Sequence, residues 1–176
     1  MNLGQIAREW WRENLRPQIE TGSIRGFRAR LRRADHPFEA LADHRVIALH
    51  GMLDQRPDQP LNPRTLAVLV QLLTMVEADQ PQRIARAFGT GEPARLSPSR
   101  FRRLIHSADR TELTLGLRRA LPLVGNSCNV AALAQDILYW GEEVRIRWCF
   151  DYFGKAPPEA QAATPGDAAS GKEKTA

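Results

Sequence analysis

The sequence predicts an all-α fold of about seven to eight helices in two small consecutive bundles, and three observations support this prediction. Apolar residues recur mostly at the spacing of one helix face, no convincing stretch alternates with a period of two, and capping residues precede several apolar segments. The chain has 176 residues, of which 43% are hydrophobic and 26% charged. This length suits one domain or two small ones, and this composition excludes collagen-like, wholly disordered and membrane-spanning classes.

The first two predicted helices each carry an apolar stripe. The first extends from about Leu3 to Leu15 and is followed by Pro17, which cannot continue a helix. Ser23 is expected to cap the second helix, because a serine oxygen can accept a hydrogen bond from a free amide at the helix start. The inward face of this second helix is expected to carry Ile24, Phe27, Leu31 and Ala34.

Two longer helices and a short one are predicted next. Pro37 is expected in the first turn of a third helix that extends to Leu53 and buries Phe38, since proline is tolerated where the amide has no partner inside the helix. After a loop rich in proline, a strongly apolar fourth helix is expected from Arg64 to about Ala78. Its lack of charge before the last turn predicts a central position. A short helix is expected around residues 84–88.

The segment from Gly89 to Gly91 marks a predicted boundary between the two bundles. Residues 1–90 would form the N-terminal bundle and residues 91–154 the C-terminal bundle. Residues 155–176 contain three prolines and no bulky apolar residue, so this segment cannot bury enough surface to offset its ordering entropy. We therefore expect a disordered C-terminal tail.

The C-terminal bundle is expected to contain three helices. Ser97 and Pro98 are typical of a helix start, with the serine as the cap and the proline in the first turn. Asp109 and Glu112 have the spacing of a capping box, which predicts the start of the next helix. After a break rich in small polar residues, the last helix is expected over residues 129–153.

The net charge of the chain comes from its first 154 residues. Lys and Arg together number 25 against 20 Asp and Glu, which gives a formal net charge of +5. All three lysines lie beyond Gly154, where nearby acids cancel them, so the surplus comes from the 22 arginines upstream. This surplus favours either a polyanionic partner or an acidic protein surface.

The arginines are clustered as well as numerous. The segment 23–34 contains five arginines and no acid, and Arg25, Arg28 and Arg32 would form one stripe on a helix. Smaller clusters are Arg95 with Arg100, Arg102 and Arg103, then Arg118 with Arg119, then Arg145 with Arg147. Each cluster alone is compatible with a solvated helix face. Four clusters on separate helices favour a positive groove for a phosphate backbone.

The sequence contains no pattern typical of an enzyme or a metal site. The four histidines are scattered, and no His/Cys ligand spacing or nucleophile motif is present. We therefore expect no catalytic residue, no metal and no cofactor.

Motifs that recognise bases are also absent from the sequence. Trp10, Trp140 and Trp148 fall on apolar stripes, which predicts core positions for them. Trp11 lies beside its stripe and could contact a partner.

The cellular setting expected from the sequence is the cytoplasm. Cys128 and Cys149 lack CxxC spacing, so neither a zinc site nor a disulfide framework is indicated, and a reducing compartment is compatible. Charges at Arg8, Glu9 and Arg12 do not suit a signal peptide or a membrane span near the N-terminus. No membrane partner is expected.

A set of motifs occurs in a specific order along most of residues 5–153. The set consists of Trp10-Trp11, Phe27–Ala34, Leu96–Ile105, Leu117–Leu121, Asp136–Trp140 and a final stretch with Trp148 and Tyr152. Each motif alone is an amphipathic helix, whereas their order and spacing resemble the CasB family. That family is the small subunit of the type I-E CRISPR Cascade surveillance complex.

The resemblance implies a non-catalytic helical subunit beside the backbone and large subunits of Cascade, with two copies arranged head to tail. Such subunits contact crRNA, target DNA and the displaced strand of the R-loop through basic residues, while base pairing reads the sequence. The candidate nucleic-acid-binding residues are Arg28, Arg32, Arg33, Arg100, Arg103, Arg118, Arg119 and Arg145. Among them, Arg28, Arg32, Arg103 and Arg119 are the four expected to share one face.

Two other functions are compatible with the sequence. In a helical adaptor, the arginines would dock on acidic protein surfaces, and the protein would not bind a nonspecific single strand at physiological salt. A regulator that binds duplex DNA would prefer one operator sequence to random duplex. The spacing of a helix-turn-helix motif is not clean, which counts against the regulator.

Overall fold

The structure is a computed structural model that describes residues 2–54 and 60–156. Within these residues the predicted all-α class is confirmed, with ten α-helices, one 3₁₀ helix and two strands of two residues each. The predicted C-terminal tail lies outside the described residues from residue 157 onwards, as do residues 55–59 of the predicted loop. The helices are α1 (Leu3–Asn14), α2 (Gly22–Arg33), α3 (Pro37–Leu41), α4 (His44–Leu53), α5 (Pro63–Leu73), α6 (Ile84–Gly89), α7 (Pro98–Ile105), α8 (Arg110–Ala120), the 3₁₀ helix (Leu121–Val124), α9 (Val130–Leu138) and α10 (Glu142–Tyr152).

Side-chain caps begin several of these helices. The Asn2 side chain accepts a hydrogen bond from the amide of Gln5 at 2.9 Å at the start of α1. At the start of α8, the Asp109 carboxylate accepts the amide of Glu112 at 2.8 Å. The Glu112 carboxylate in turn accepts the amide of Ala108 at 2.6 Å. The helix start predicted from the spacing of Asp109 and Glu112 is therefore confirmed.

The start of α2 differs from the prediction, because Thr21 and not Ser23 is its cap. The Thr21 hydroxyl accepts the amide of Ile24 at 3.4 Å, and Ser23 lies inside the helix. The predicted inward face of α2 is buried except for Ile24, which is half-buried. The buried members are Phe27, Leu31 and Ala34.

Two helices that were predicted as single elements are each divided in two. The predicted third helix is α3 and α4, because Asp43 adopts an extended backbone and its carboxylate accepts the amide of Arg45 at 3.0 Å. Because α3 ends at Leu41, Phe38 does not join the core face of α4 and is 67% exposed, contrary to the prediction. The predicted last helix is α9 and α10, and Gly141 precedes α10 in an extended conformation. These divisions account for most of the helices beyond the predicted seven to eight.

The fourth predicted helix ends earlier than expected, because the chain after it forms a strand. In the structure this helix is α5, and its last residue is Leu73. Strand β1 (Ala78–Asp79) pairs in parallel with β2 (Ser127–Cys128), with Ala78 opposite Ser127. A strand of two residues is too short to show alternation, so the sequence did not indicate this pair.

The buried apolar side chains form one cluster that contains residues from both sides of residue 90. Helix α5 is central, as predicted, and buries seven of its residues. Helix α1 packs on α9 so closely that a Cβ at Gly4 would lie 2.3 Å from the carbonyl oxygen of Ala131. Helix α6 packs on α10 in the same way, since a Cβ at Gly89 would lie 1.8 Å from the carbonyl oxygen of Tyr152. Contacts therefore cross residue 90, and the division into two bundles stays a prediction.

The tryptophans lie in the core. Trp10, Trp140 and Trp148 are at most 8% exposed, which confirms their predicted positions. Trp11 is 4% exposed, and its indole N–H donates to the carbonyl oxygen of Leu73 at 3.1 Å. Trp11 therefore packs inside this chain and not against a partner. Among the residues that the structure describes, no helix is long and apolar enough to cross a membrane.

Candidate nucleic-acid interface

Helix α2 places Arg28 and Arg32 against the C-terminal ends of α1 and α5. Buried Phe27 and Leu31 hold one face of α2 in the core, so the residues that follow each of them lie at the edge of that face. Arg28 donates to the carbonyl oxygen of Leu15 at 2.9 Å and forms an ion pair with Glu20.

Arg32 bonds to a different helix end. It is exposed, and its Nη2 donates to the carbonyl oxygen of Thr74 at 3.0 Å, just after α5. Arg33 is also exposed, and its side chain forms no hydrogen bond or ion pair with another described residue. Arg118 of α8 donates to the carbonyl oxygen of Arg32 at 3.1 Å, which joins α8 to the end of α2.

Arg16 belongs to the same region, although no sequence pattern pointed to it. Its Nη1 donates to the carbonyl oxygen of Leu15 at 3.1 Å, and its Nη2 donates to that of Thr74 at 3.2 Å. Burial lowers the pKa of Arg16, and the positive charges of Arg28 and Arg32 lower it further. The one available signal was its position just after a helix, where arginines often bond to the last carbonyls.

Helices α7 and α8 form a groove of about 420 Å³. Arg100, Arg103 and Arg119 line this groove, and each of them is exposed. Leucines contribute apolar surface to the lining, and no aromatic residue takes part. The apolar lining residues are Leu96, Leu104, Leu115, Ala120 and Leu123, and the remaining ones are Ser107, Glu112 and Gly116.

The four arginines expected on one face fall into two groups. Arg28 and Arg32 lie at the ends of α1 and α5, whereas Arg103 and Arg119 lie in the α7–α8 groove. The groups approach each other at α8, where Arg118 bonds to the α2 end and the next residue lines the groove. Consecutive helical residues point about 100° apart, so the two groups face different directions at that point.

Arg145 is half-buried on α10 and bonds within the chain. Its Nη2 donates to the carbonyl oxygen of Ser107 at 3.0 Å, and its guanidinium carbon lies 5.4 Å from the centre of the Trp140 ring. The neighbouring basic residue of the predicted pair, Arg147, forms an ion pair with buried Asp136. Both arginines of this last cluster therefore bond to buried residues of the chain, Ser107 and Asp136.

Most of the predicted binding arginines have no acidic partner. Of the eight, only Arg28 forms an ion pair within the described part of the chain, and its partner is Glu20. Arginines outside the predicted set are paired more often, and they include Arg8, Arg12, Arg30, Arg45, Arg83 and Arg147. Positive charge is therefore left unpaired mainly on α2, α7 and α8.

The structure shows no arrangement that suggests a metal centre. Over residues 2–54 and 60–156, no three His, Cys, Asp or Glu residues lie close enough together to hold a metal ion. Cys128 is buried, and burial together with the charges of Asp79 and Asp136 raises its pKa to about 12. The Cys128 thiol is therefore protonated at neutral pH and is a poor nucleophile.

Two solved structures have folds similar to this one. CasB from Thermus thermophilus matches with a TM-score of 0.65 and 23% sequence identity, over 88% of this chain and 99% of that chain. A chain in the crystal structure of E. coli Cascade bound to a PAM-containing dsDNA target matches with a TM-score of 0.58 and 22% identity, over 84% of this chain and 91% of that one. At these identities the likeness shows the fold. No curated protein matches the chain.

A family model gives the more specific result. The model of the CRISPR-associated protein Cse2 matches residues 27–153, a range that begins within α2 and ends just after α10. All eight candidate arginines lie within this range, seven of them on α2, α7 and α8 and the eighth, Arg145, on α10. Because this range is most of the chain, the resemblance predicted from the ordered motifs is confirmed, and the protein belongs to the CRISPR-associated Cse2 family.

Proposed function

We propose that the protein is a non-catalytic structural subunit of a Cascade-like CRISPR surveillance complex, and that it holds crRNA, target DNA and the displaced strand by their backbones. Membership of the Cse2 family supports the assignment to such a complex. One observation carries the nucleic-acid part: seven of the eight candidate arginines have no acidic partner among the described residues. A phosphate backbone would supply the missing negative charge.

The contacts would be independent of base sequence. A guanidinium group offers a planar fork of N–H donors that matches two phosphate oxygens, and it remains charged at any physiological pH. No aromatic residue lines the α7–α8 groove, so this surface offers no platform on which bases could stack. Base pairing between guide and target would then read the sequence, and this subunit would stabilise the separated strands.

We further propose that two copies lie head to tail and contact the backbone and large subunits of the complex. This arrangement rests on the family resemblance. Phe38 and Phe153 are 67% and 68% exposed, and such side chains suit protein contacts.

The direct test is whether the isolated protein binds nucleic acid of arbitrary sequence. A fluorescently labelled single strand of mixed sequence should bind, and its affinity should fall as salt rises, with a log-log slope of about −0.7 for each phosphate contacted. Fluorescence anisotropy between 50 and 200 mM salt measures this slope. An absence of binding at low salt would contradict the proposal.

A second function is favoured by the apolar lining of the α7–α8 groove. Leu104, Leu115 and Leu123 would not contact a phosphate backbone, but with the arginines they suit an acidic, amphipathic protein segment. In this adaptor role, single-stranded DNA would not bind and would not compete with the protein partner. A duplex regulator would instead prefer one duplex sequence, which the anisotropy assay detects with a set of random duplexes.

A further inference from the structure

Three guanidinium groups meet between the C-terminal ends of α1 and α5. They belong to Arg16, Arg28 and Arg32, which we call the arginine cluster. Arg16 and Arg28 both donate to the carbonyl oxygen of Leu15, at 3.1 and 2.9 Å. Arg16 and Arg32 both donate to that of Thr74, at 3.2 and 3.0 Å. The cluster is therefore assembled from three parts of the chain around two backbone oxygens.

The shared acceptors fix how close these positive charges are. Two nitrogen atoms that each lie about 3 Å from the same oxygen are at most about 6 Å apart, and like charges at that distance repel each other. This repulsion affects Arg16. Burial lowers its pKa, the charges of Arg28 and Arg32 lower it further, and the charges of Glu77 and Glu20 offset part of that change. An anion placed between the groups would relieve the repulsion.

Two carboxylates already lie beside the cluster, Glu77 near Arg16 and Glu20 at Arg28. The Glu20 carboxylate pairs with Arg28, and its side chain is 40% exposed. Glu20 lies in the segment between α1 and α2, outside either helix, so it can leave Arg28 without disturbing a helix. Carboxylate and phosphate oxygens accept hydrogen bonds from the same guanidinium N–H groups. The Arg28–Glu20 pair shows that these N–H groups can bond to an oxyanion.

The remaining donors can serve a ligand. Arg32 uses only its Nη2 in a hydrogen bond with a described residue, and its side chain is exposed. A guanidinium group has five N–H donors, so Arg32 keeps several that point away from the Thr74 carbonyl. Capping two carbonyl oxygens does not need three arginines, and the cluster therefore has capacity beyond its structural role.

We propose that Arg16, Arg28 and Arg32 form a phosphate clamp, and that Glu20 is its internal competitor for Arg28. The ligand is a phosphate group, supplied either by inorganic phosphate or by the diester of a nucleic-acid backbone. In the second case the inference rests on the proposed function, and the clamp fixes one phosphate of the strand beside α2. Binding displaces Glu20 from Arg28.

The test uses the full-length protein and sodium phosphate at pH 7, with sodium chloride added to keep the ionic strength constant. Arginine side-chain N–H signals in NMR spectra report binding. We expect saturable shifts at all three clamp residues. Arg32→Gln should weaken phosphate binding about tenfold, because a charge-assisted hydrogen bond is lost. Arg64→Gln is the matched control, with the same charge change at an exposed position at the start of α5, away from Thr74, and should leave the affinity unchanged within about twofold.

A second variant gives a result that misfolding cannot imitate. Glu20→Gln removes the competitor, so phosphate affinity should rise several-fold. The clamp is wrong if phosphate gives no saturable shift beyond chloride at equal ionic strength. It is also wrong if Glu20→Gln does not raise the affinity, or if Arg64→Gln weakens binding as much as Arg32→Gln.

A second arm of the experiment identifies the source of the phosphate. If the backbone is the ligand, Arg32→Gln should weaken binding of a twelve-nucleotide thymidine strand and reduce its salt slope by about 0.7. If inorganic phosphate binds but strand affinity is unchanged in this variant, the ligand is the free ion. Strand binding without any phosphate site would contradict the clamp and leave the proposed function standing, whereas the reverse result would contradict only the proposed function.

Discussion

Asp136 shows at the scale of one residue how arginines become part of the core. Its side chain is 2% exposed, and it accepts hydrogen bonds from Arg83 at 3.0 Å and from the Trp148 indole at 2.7 Å, with Arg147 as a further partner. A buried carboxylate with these donors balances two positive charges in a region of low dielectric constant. Arg147 is therefore a structural residue, although its sequence context resembles that of the exposed arginines.

The first prediction concerns the loss of this carboxylate. Asp136→Asn keeps the size of the side chain but leaves Arg83 and Arg147 without their common negative charge. The free energy of unfolding should fall by about 1.5–3 kcal/mol, because charge-assisted hydrogen bonds to a buried carboxylate are lost while Arg83 keeps its ion pair with Asp151. Urea unfolding at neutral pH measures it. Asp35→Asn, at an exposed position, is the control and should change it by less than about 0.5 kcal/mol, and equal effects would contradict the structural role of Asp136.

The second prediction concerns pH. Hydrogen bonds from Arg45 lower the pKa of Asp43 to about 2, and a bond from Arg30 contributes. Since the folded pKa lies below the unfolded value of 3.8, this stabilisation is present above pH 4 and is lost as the pH falls towards 2. The wild type should lose about 1–2 kcal/mol of unfolding free energy over this range through Asp43.

The variant Asp43→Asn isolates that effect. Asparagine is a good helix cap, so α4 should keep its start while the charge is removed. Unfolding by urea at several pH values should show a shallower loss of stability between pH 4 and 2 than in the wild type. Parallel curves for the two proteins would contradict the assigned pairing of Asp43 with Arg45.

At the scale of the element, helix starts were predicted better than helix breaks. The spacing of Asp109 and Glu112 is a local signal, and the structure uses it directly. The break at Asp43 falls inside a continuous apolar pattern, so periodicity carried the predicted helix through it. The pairing of β1 with β2 joins residues about 49 positions apart, and no local pattern can report such a contact.

The third prediction compares two helix starts. At α8 the Asp109 side chain caps the helix, whereas at α7 the Ser97 side chain makes no capping hydrogen bond. Asp109→Ala should lower the free energy of unfolding by about 1 kcal/mol, and Ser97→Ala by less than about 0.5 kcal/mol. Denaturant unfolding of the two variants side by side checks this. Equal losses would show that the cap geometry is not what stabilises α8.

At the scale of the whole molecule, the sequence predicted the helical class and the positions of charge, but not which charges stay free. Whether an arginine is paired depends on acids that are distant in sequence, as Arg83 and Asp136 show. The packing of α1 on α9 is equally non-local, so it did not follow from helix periodicity. The proposed function rests on resemblance to a family, because the order of motifs along the whole chain is more specific than any single helix face.

The distribution of charge agrees with a subunit that binds a backbone on some faces and proteins on others. Among the described residues, most arginines without an acidic partner lie on α2, α7 and α8, whereas Arg147 on α10 pairs with Asp136. A net charge of +5 is modest, but it includes several arginines that have no acidic partner among the described residues and that lie on three helices. Local concentration and not total charge would therefore set the affinity for nucleic acid.

Our central proposal is that these arginines, most of which have no acidic partner among the described residues, hold a nucleic-acid backbone without contacting its bases. Its most direct test is the salt dependence of single-strand binding by the double variant Arg32→Gln/Arg103→Gln, which removes one arginine from each group. The control is Arg64→Gln/Arg86→Gln, an equal charge change at exposed positions outside both groups. We expect a log-log slope shallower by about 1.4 in the first variant for strands of any sequence, and an unchanged slope in the second. Equal slopes in the two variants, or a loss of affinity confined to one base sequence, would contradict it.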